Sequence, residues 1–441
     1  MGQSRPRLSS ILSLVKGTVL AQLVFVFATP VLTRIYTVEE LGVFALFTAM
    51  VLILCRFAGL RYELAIPLPA LDETAIHLVL LTFLLSLAML IIAGSAYTIA
   101  VYYLDFISDI HVLQEYLLVL GASVVLFVLN ESLVFWFIRK KDFSTIARAR
   151  VTNAIALAIL QLFGYFISGK ILILITAYPL ALAISCVFLL GRVDRRIFAY
   201  RTHTGRLLKA LIVRYRKFPM FTSWSTGLYE LSQAFPLFFL ASFFGNLEAG
   251  YFFLARRIGL IPTSIVGRAI TQVNHADMAE QKNMVDLGEI LVRQIQGLQW
   301  VSIVPAVLLA FYAPDICERI LGAEWREAGR YLQVLAPYVV VRLVFSPMAA
   351  INYVAEWQKL ALWFEILSTT LSSLALLWFA INGTAYQAVA AYFYTLGIAS
   401  LLYGVYLMQR IEAPIWKLLR PGVLQLAALG LLYITGKFVM S

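Results

Sequence analysis

Charged side chains occur inside several long apolar segments of this sequence. Glu230 lies near the middle of one such segment, and Arg256 and Arg257 lie at a similar depth in the next. A charged residue at the centre of a membrane helix costs about 2.5 to 3.5 kcal/mol on insertion scales, so such a group faces a partner or a water-filled cavity. Two interpretations stay open: a buried ion pair that locks two helices together, or a polar cavity that binds an anion.

Polar residues at helical spacing accompany these charges. Around Glu230 they recur at i, i+4, i+8 and i+11, which places them on one helix face: Thr222, Thr226, Glu230 and Gln233. Similar faces are formed by Thr18, Gln22, Thr29 and Thr33, by Thr48, Arg56, Gly59 and Glu63, and by Arg257, Ser264 and Arg268. We expect these faces to enclose a hydrophilic cavity with excess positive charge. Because a guanidinium group binds phosphate oxygens in a bidentate manner, the predicted ligand is an anion that carries phosphate.

Two further acids are candidates for ion coupling. Glu131, next to Asn130 and Ser132, is interpreted either as a proton or cation site or as a hydrogen-bonded structural carboxyl. Glu365 is the second candidate, with an ion pair to Arg342 as the alternative. The histidines and cysteines are not spaced as metal ligands, and no nucleophile motif is present. The sequence therefore predicts no metal, no cofactor and no enzymatic activity.

The elements that carry these residues are predicted to be membrane-spanning helices. Hydrophobic residues make up 61% of the 441 residues and charged residues only 13%, whereas a soluble domain has about 25% charged residues. The apolar runs reach about 20 residues, the length that crosses about 30 Å of hydrocarbon. We therefore predict an all-α integral membrane protein with twelve core transmembrane helices. The predicted spans are 11–33, 41–60, 75–103, 111–138, 146–167, 171–191, 218–241, 248–270, 287–312, 328–353, 358–381 and 385–409, with a weaker thirteenth at 421–438.

Basic residues indicate the orientation. Short loops rich in Lys and Arg stay in the cytoplasm, which predicts a cytoplasmic N-terminus. The most basic segment is 192–217, in which nine Lys and Arg residues face a single acid, Asp194. This segment is interpreted either as a patch that binds anionic lipid or as a topology determinant and tether. The net charge of +11 is thus assigned to membrane topology, and no nucleic-acid partner is expected.

The two halves of the chain resemble each other. Glu40, Gly42 and Phe44 after the first span recur as Glu248, Gly250 and Phe252 after the seventh. Six spans per half is an even number, so both halves enter the membrane from the same side and form a parallel repeat of two six-helix lobes. The predicted divisions are an N-terminal lobe at 1–191, a basic cytoplasmic linker at 192–217, a C-terminal lobe at 218–409 and a C-terminal extension at 410–441.

The sequence also resembles a known family. The segments that carry the resemblance are GTVLAQLVFVFATPVLTRIYTVEELGVFAL, RYELAIPLP, KFPMFTSWSTGLYELSQAFPLFFLASFFGNLEAGYFFLARRIGLIPTSIVG and LGAEWREAGRYLQVLAP. Together they are similar to bacterial polysaccharide transporters, the Wzx-type O-antigen flippases of the multidrug, oligosaccharidyl-lipid and polysaccharide exporter superfamily. The resemblance implies two lobes about a central cavity that work by alternating access. It also implies a location in the bacterial inner membrane.

The resemblance further implies what the protein binds. The implied substrate is an undecaprenyl-pyrophosphate-linked oligosaccharide, moved from the cytoplasmic to the periplasmic leaflet for O-antigen or lipopolysaccharide synthesis. The implied partners are this substrate, membrane lipids, a polysaccharide polymerase and a chain-length regulator, and no cofactor is implied.

Particular residues match the motifs of that family. Arg61, Tyr62 and Glu63 match its GRYE-like motif, with Leu60 in place of the glycine, and Arg34 matches the arginine after the first span. Arg257 matches the arginine of an AxRxxxxP pattern in the eighth span. The first hairpin is expected to admit and gate the substrate headgroup, and the second to hold it. The candidate substrate-binding residues are Arg34, Arg56, Arg61, Glu63, Glu230, Arg256, Arg257 and Arg268.

Two other functions remain as alternatives. An ion-coupled multidrug antiporter of the same superfamily would expose unpaired acids in its cavity, whereas arginines predominate in the predicted cavity. A membrane glycosyltransferase or polymerase needs a large periplasmic loop for its catalytic residues. The longest predicted outside loop, 313–328, is too short to form such a domain.

Overall fold

The computed structural model of the protein describes residues 8–104, 116–166, 170–194, 204–261, 263, 284–345 and 357–413. These residues form α-helices joined by short turns, with no strand among them. The predicted all-α fold class is therefore confirmed. The chain forms two compact units, Met1–Ala234 and Phe235–Ser441, and the boundary between them lies inside one helix, α8.

In the described residues, the first unit contains seven helices and the start of an eighth. They are α1 (Leu8–Ile35), α2 (Val38–Ala58), α3 (Asp72–Leu104), α4 (Leu117–Arg139), α5 (Phe143–Gly164), α6 (Lys170–Leu190), α7 (Thr204–Arg214) and α8 (Ser223–Phe244). A 3₁₀ turn, Tyr62–Ala65, joins α2 to α3, and a π-helical turn, Phe218–Thr222, precedes α8.

Packing in the first unit follows from small and apolar residues at the helix contacts. α1 lies against α5, α5 against α6, and α4 against α2, α3 and α6. At the α1–α5 contact, a Cβ atom on Gly17 would lie 2.4 Å from the Cβ of Ala147, so only glycine permits this approach. α2 begins with a capping box in which the side chains of Thr37 and Glu40 bond to each other's backbone N–H group.

Among its described residues, the second unit is built around the helix α12. Its further helices are α9 (Asn246–Gly259), α10 (Met284–Val307), α11 (Ala313–Leu321), α12 (Arg326–Val344), α13 (Gln358–Asn382) and α14 (Ala385–Arg410). α12 contacts α9, α10, α11 and α14, and α14 also packs along α13. α11 approaches α12 so closely that a Cβ atom on Gly329 would lie 2.3 Å from the Cα of Pro314.

Nine helices in the described residues are long and apolar enough to cross a membrane. They are α1 to α6, the segment Leu291–Leu321, α13 and α14. Many of their outward side chains are large, apolar and exposed, for example Phe27, Val187 and Trp363. Such a surface suits a lipid environment, and the prediction of a polytopic membrane protein is confirmed.

The helices differ from the predicted spans at several places. The predicted linker 192–217 contains a helix, α7, and the predicted outside loop 313–328 contains α11. α8, α9 and α12 are helical as predicted but are not among the nine candidate spans. α9 is described over 14 residues only, and α12 contains four charged residues. The predicted thirteenth span, 421–438, lies outside the described residues. The predicted lobe boundaries stay a prediction.

Candidate functional site

Five charged side chains of the first unit form a cluster at the end of α2. Arg56 is in the last turn of α2, Arg61 and Glu63 follow in the turn to α3, Glu131 lies in α4, and Glu230 lies in α8. We call these residues the α2 charge cluster. In the sequence analysis these residues belonged to three different predicted features: the first hairpin, the ion-coupling candidate Glu131, and the polar face around Glu230.

Arg56 and Glu230 form an ion pair across 174 positions of sequence. Nη2 of Arg56 donates to Oε1 of Glu230 at 2.8 Å, and Nε donates to the same oxygen at 3.2 Å. The guanidinium carbon also lies 5.9 Å from the ring centre of Phe127. The side chains are only 17% and 20% exposed, so the pair is largely shielded from solvent. The structure thus gives Glu230 an ion-pair partner from α2, a pairing that was not predicted from the sequence.

The chain leaves α2 through a tight turn that only a few residue types allow. A Cβ atom on Gly59 would lie 2.9 Å from Cγ1 of Val128 and 3.3 Å from Oε2 of Glu63, so the glycine lets α2 end against α4. Leu60 and Arg61 then adopt left-handed φ values of 49° and 58°, a conformation that costs a residue with a side chain about 1 kcal/mol. This turn brings the Arg61 side chain to Glu63.

Arg61 and Glu63 form a second ion pair, and it is more deeply buried. Nη1 of Arg61 donates to Oε1 of Glu63 at 2.7 Å, and the two residues are 9% and 3% exposed. Among the described residues, neither Nε of Arg61 nor Oε2 of Glu63 has a hydrogen-bond partner. Burial raises the pKa of Glu63, an effect that the positive charge of Arg61 opposes. The pair therefore keeps one unused donor and one unused acceptor in a buried place.

Glu131 belongs to the same cluster. It is half-buried in α4 and lies within electrostatic range of both Arg56 and Glu63. Glu131 is therefore not isolated from other acids, because Glu63 lies within its electrostatic range. The cluster holds two arginines and three glutamates, so these five side chains have no excess of positive charge.

A second group of charged and phenolic side chains lies in the second unit. Tyr392 of α14 is buried and lies within electrostatic range of Arg256, Tyr338, Arg342 and Glu365. The guanidinium of Arg342 donates to the hydroxyl of Tyr338 and lies 5.8 Å from that ring centre. We call these residues the Tyr392 group, and here two arginines accompany one acid.

The other predicted site residues occupy different positions. Arg257 is half-buried in the last turn of α9, with its guanidinium carbon 5.5 Å from the ring centre of Phe253. Arg34 is exposed in the last turn of α1. Arg268 lies outside the described residues. The structure thus brings Arg56, Arg61, Glu63, Glu131 and Glu230 together, and it places Arg256 and Glu365 around Tyr392.

The predicted polar faces are only partly available to a ligand. The hydroxyls of Thr29 and Thr226 donate to carbonyls of their own helices, and Thr29 is buried. Thr18 accepts a hydrogen bond from Arg150 of α5 at 2.8 Å. Threonine commonly forms such a hydrogen bond inside a helix. The helical spacing of polar residues therefore overestimated the polar surface that is available to a ligand.

Sequence reasoning missed the two tyrosines of the Tyr392 group. Tyr338 and Tyr392 lie within predicted spans. They were not selected as candidates because a phenol group is uncharged, and the candidates were charged residues in apolar segments. The available signal was that a buried phenol hydroxyl usually requires a polar partner. Among the described residues, no three His, Cys, Asp or Glu side chains are grouped to hold a metal ion.

The two groups differ in the ions that they suit. In the α2 charge cluster, three carboxylates share two guanidinium groups, an arrangement that can accept a proton or another cation. In the Tyr392 group, the arginines and phenol hydroxyls are hydrogen-bond donors, an arrangement that suits oxygen atoms of an anion.

Solved structures of transporters share this fold. An inward-facing multidrug resistance MATE family transporter of the MOP superfamily matches with a TM-score of 0.67 and 16% identity, over 92% of this chain and 95% of that one. A MOP superfamily transporter from Pyrococcus furiosus, described as having a binding pocket of reverse polarity, matches with a TM-score of 0.56 and 16% identity over 94% and 95%. A MATE transporter of Vibrio cholerae matches with a TM-score of 0.57 and 14% identity over 92% and 95%. The chain therefore shares its fold with these transporters.

The sequence itself identifies the family. The profile of the family described as "Polysaccharide biosynthesis protein" matches residues 31–330. The chain belongs to this polysaccharide biosynthesis family, and the resemblance to polysaccharide transporters of the MOP superfamily is confirmed. No curated protein matches the sequence.

Proposed function

We propose that the protein is a flippase for lipid-linked oligosaccharides. It moves undecaprenyl-pyrophosphate-linked repeat units across the bacterial inner membrane by alternating access, for the synthesis of O-antigen or another surface polysaccharide. The observation that carries the proposal is membership in a polysaccharide biosynthesis family by a chain with a transporter fold. A membrane protein of this kind handles the lipid-linked form because the sugar is then already anchored in the bilayer.

In the second unit, the pyrophosphate is assigned to the arginines of α9 and α12. Arg256 and Arg342 lie within electrostatic range of Tyr392, and Arg257 follows Arg256 in the same helical turn. Pyrophosphate presents several oxygens with at least two negative charges, and a guanidinium group binds such oxygens better than a lysine does because its donors are planar and fixed. Tyr338 already accepts from Arg342, which orients that guanidinium group.

In the first unit, Arg56 has a different role. Its guanidinium is occupied by Glu230, so a phosphate must compete with a carboxylate for the same donors. Such competition favours a ligand with more than one negative charge over a carboxylate ligand. We assign selection for pyrophosphate to this exchange, in which the ion pair protects the arginine while no substrate is bound.

Transport in reconstituted vesicles tests the proposal. The purified full chain is placed in proteoliposomes that contain a fluorescent undecaprenyl-pyrophosphate oligosaccharide, and an added glycosidase reports the fraction that reaches the outer leaflet. Wild type is expected to move the oligosaccharide lipid from the inner to the outer leaflet, where the glycosidase cleaves it. Arg257→Ala is expected to abolish this transfer although the variant reaches normal abundance in the membrane. Arg319→Ala, at an exposed position of α11, is the matched control. Equal flipping by Arg257→Ala and wild type contradicts the role of Arg257.

Cells supply the substrate-level test. A strain without the gene is expected to accumulate one undecaprenyl-linked oligosaccharide on the cytoplasmic side of the inner membrane. Unchanged lipid-linked intermediates would exclude the flippase function. Reporter fusions at the N-terminus test the proposed cytoplasmic orientation in the same strain.

An ion-coupled multidrug antiporter is the second candidate function. The observation that favours it is the α2 charge cluster, in which glutamates outnumber arginines and Glu131 lies within electrostatic range of another acid, Glu63. Efflux of a cationic dye under a pH or sodium gradient, abolished by Glu131→Gln, would support this function. Absence of dye efflux together with gradient-dependent flipping that Glu131→Gln removes would instead assign Glu131 to coupling in the flippase.

A further inference from the structure

We propose that α7 is a binding surface for anionic phospholipid headgroups and that bound headgroups stabilise the turn that holds Arg61. The surface consists of the exposed basic side chains Arg206, Lys209, Arg214, Arg216 and Lys217. This proposal concerns bilayer lipid and does not depend on which substrate is transported.

The charged residues of this segment are all basic. Residues 204–222 contain five Lys and Arg residues and no Asp or Glu. Within α7, Arg206, Lys209 and Val213 follow each other at i, i+3 and i+7, so they share one helix face. Arg216 and Lys217 come directly after the helix and are also exposed. Negatively charged headgroups are therefore complementary to the whole outer side of α7.

The opposite face of α7 fixes it to the protein. Leu211 and, just beyond the helix, Tyr215 are buried in the core that the ends of α3 and α4 form, with Leu207 and Leu208 packed against it. The hydroxyl of Tyr62 also donates to the carbonyl of Ile212 at 3.1 Å. The basic face is thus held outward by packing on the other side, and α7 does not behave as a loose tether.

The neighbouring residues place α7 at the level of the membrane surface. The π-helical turn that follows it exposes Met220 and Phe221, and the first turn of α8 exposes Trp224. Val213 itself is 60% exposed among the basic residues. A helix whose charged side chains adjoin exposed apolar and aromatic ones suits the boundary between headgroups and acyl chains. This combination favours a lipid surface over a soluble polyanion, because a polyanion would bind the basic side chains but would leave the apolar ones exposed to water.

Tyr62 connects this surface to the α2 charge cluster. It precedes Glu63 directly and follows Arg61, whose left-handed backbone is strained. Because the Tyr62 hydroxyl binds the α7 backbone, a headgroup that holds α7 in place also restrains the Arg61 turn. Lipid composition is therefore expected to change the local stability of residues 61–65.

The test measures lipid binding by the full chain. The purified protein in detergent is titrated with phosphatidylglycerol or phosphatidylcholine, and bound lipid is counted by native mass spectrometry. We expect a preference for phosphatidylglycerol that falls about tenfold or more in a triple variant, Arg206→Gln, Lys209→Gln and Arg216→Gln, since each basic residue near a membrane adds to the attraction. The matched control replaces Arg319, Arg330 and Lys359, which are exposed elsewhere.

Hydrogen exchange in nanodiscs gives the second readout. Phosphatidylglycerol is expected to slow exchange in 61–65 and 204–217 of wild type, and Tyr62→Phe is expected to keep lipid binding but lose the protection of 61–65. Equal lipid preference in the triple variant and the control overturns the proposal, as does equal affinity of wild type for the two lipids. Protection by soluble glycerol phosphate without a bilayer would assign the surface to a free phosphate and also overturn it.

Discussion

Removing one member of the Arg56–Glu230 pair is expected to destabilise the first unit more than removing both. Each single substitution, Arg56→Gln or Glu230→Gln, leaves one largely buried charge without its partner. Breaking a fully buried pair in this way costs about 3 to 5 kcal/mol. The two side chains retain 17% and 20% exposure, and side-chain hydrogen bonds within membranes are worth about 0.6 to 1.7 kcal/mol. We therefore expect a coupling energy of about 1 to 3 kcal/mol.

A double-mutant cycle measures this coupling. Wild type, the two single variants and the double variant are unfolded in micelles with a rising fraction of dodecyl sulfate, and the free energies of unfolding are compared. The control cycle uses Glu327 and Arg330, an ion pair of similar length at 2.9 Å whose side chains are 47% and 56% exposed. Exposed pairs couple weakly because water screens them.

The difference between the coupling energies of the two cycles shows whether shielding from solvent strengthens the Arg56–Glu230 pair. A coupling energy for Arg56 and Glu230 that does not exceed the control would refute the reasoning that shielding strengthens the pair. Arg56→Lys refines the result, because a lysine keeps the charge but cannot supply the two donors that Arg56 directs at Oε1 of Glu230. It is expected to lie between wild type and Arg56→Gln.

Three further predictions concern single positions. Gly59→Ala is expected to destabilise the protein by about 1 to 3 kcal/mol through overlap with Val128, whereas Gly94→Ala, with no heavy atom within 4 Å of its new Cβ, is not; equal melting temperatures would contradict this. Since burial raises the pKa of Glu63, the stability from its bound proton is present below the ordinary value of about 4.3 and is lost as pH rises through the raised value. Wild type should therefore lose stability relative to Glu63→Gln over that pH window, and a constant difference in melting temperature would disprove it. Arg257→Ala should abolish flipping at normal abundance, as measured in the vesicle assay.

Local patterns of the sequence determined the membrane helices and the family. The described part of each predicted span is mainly helical, because an apolar run of sufficient length forms a helix in lipid whatever its neighbours are. The motif around Arg61, Tyr62 and Glu63 also indicated a polar site at the end of α2, where the structure places the charge cluster. The amphipathic helix α7 was not predicted from the sequence. The many basic residues of 192–217 led to the interpretation of this segment as a linker.

Only the tertiary structure decided which charges meet. Arg56 and Glu230 are 174 positions apart, so no periodicity within one helix relates them. Their contact depends on how α8 packs beside α2, and that packing is set by close approaches such as Gly227 against the ring of Phe57. The balance of two arginines and three glutamates follows from the same packing. Charge spacing along a chain gives the depth of a residue in the membrane, but the partner across a helix contact depends on the shapes of all the side chains between them.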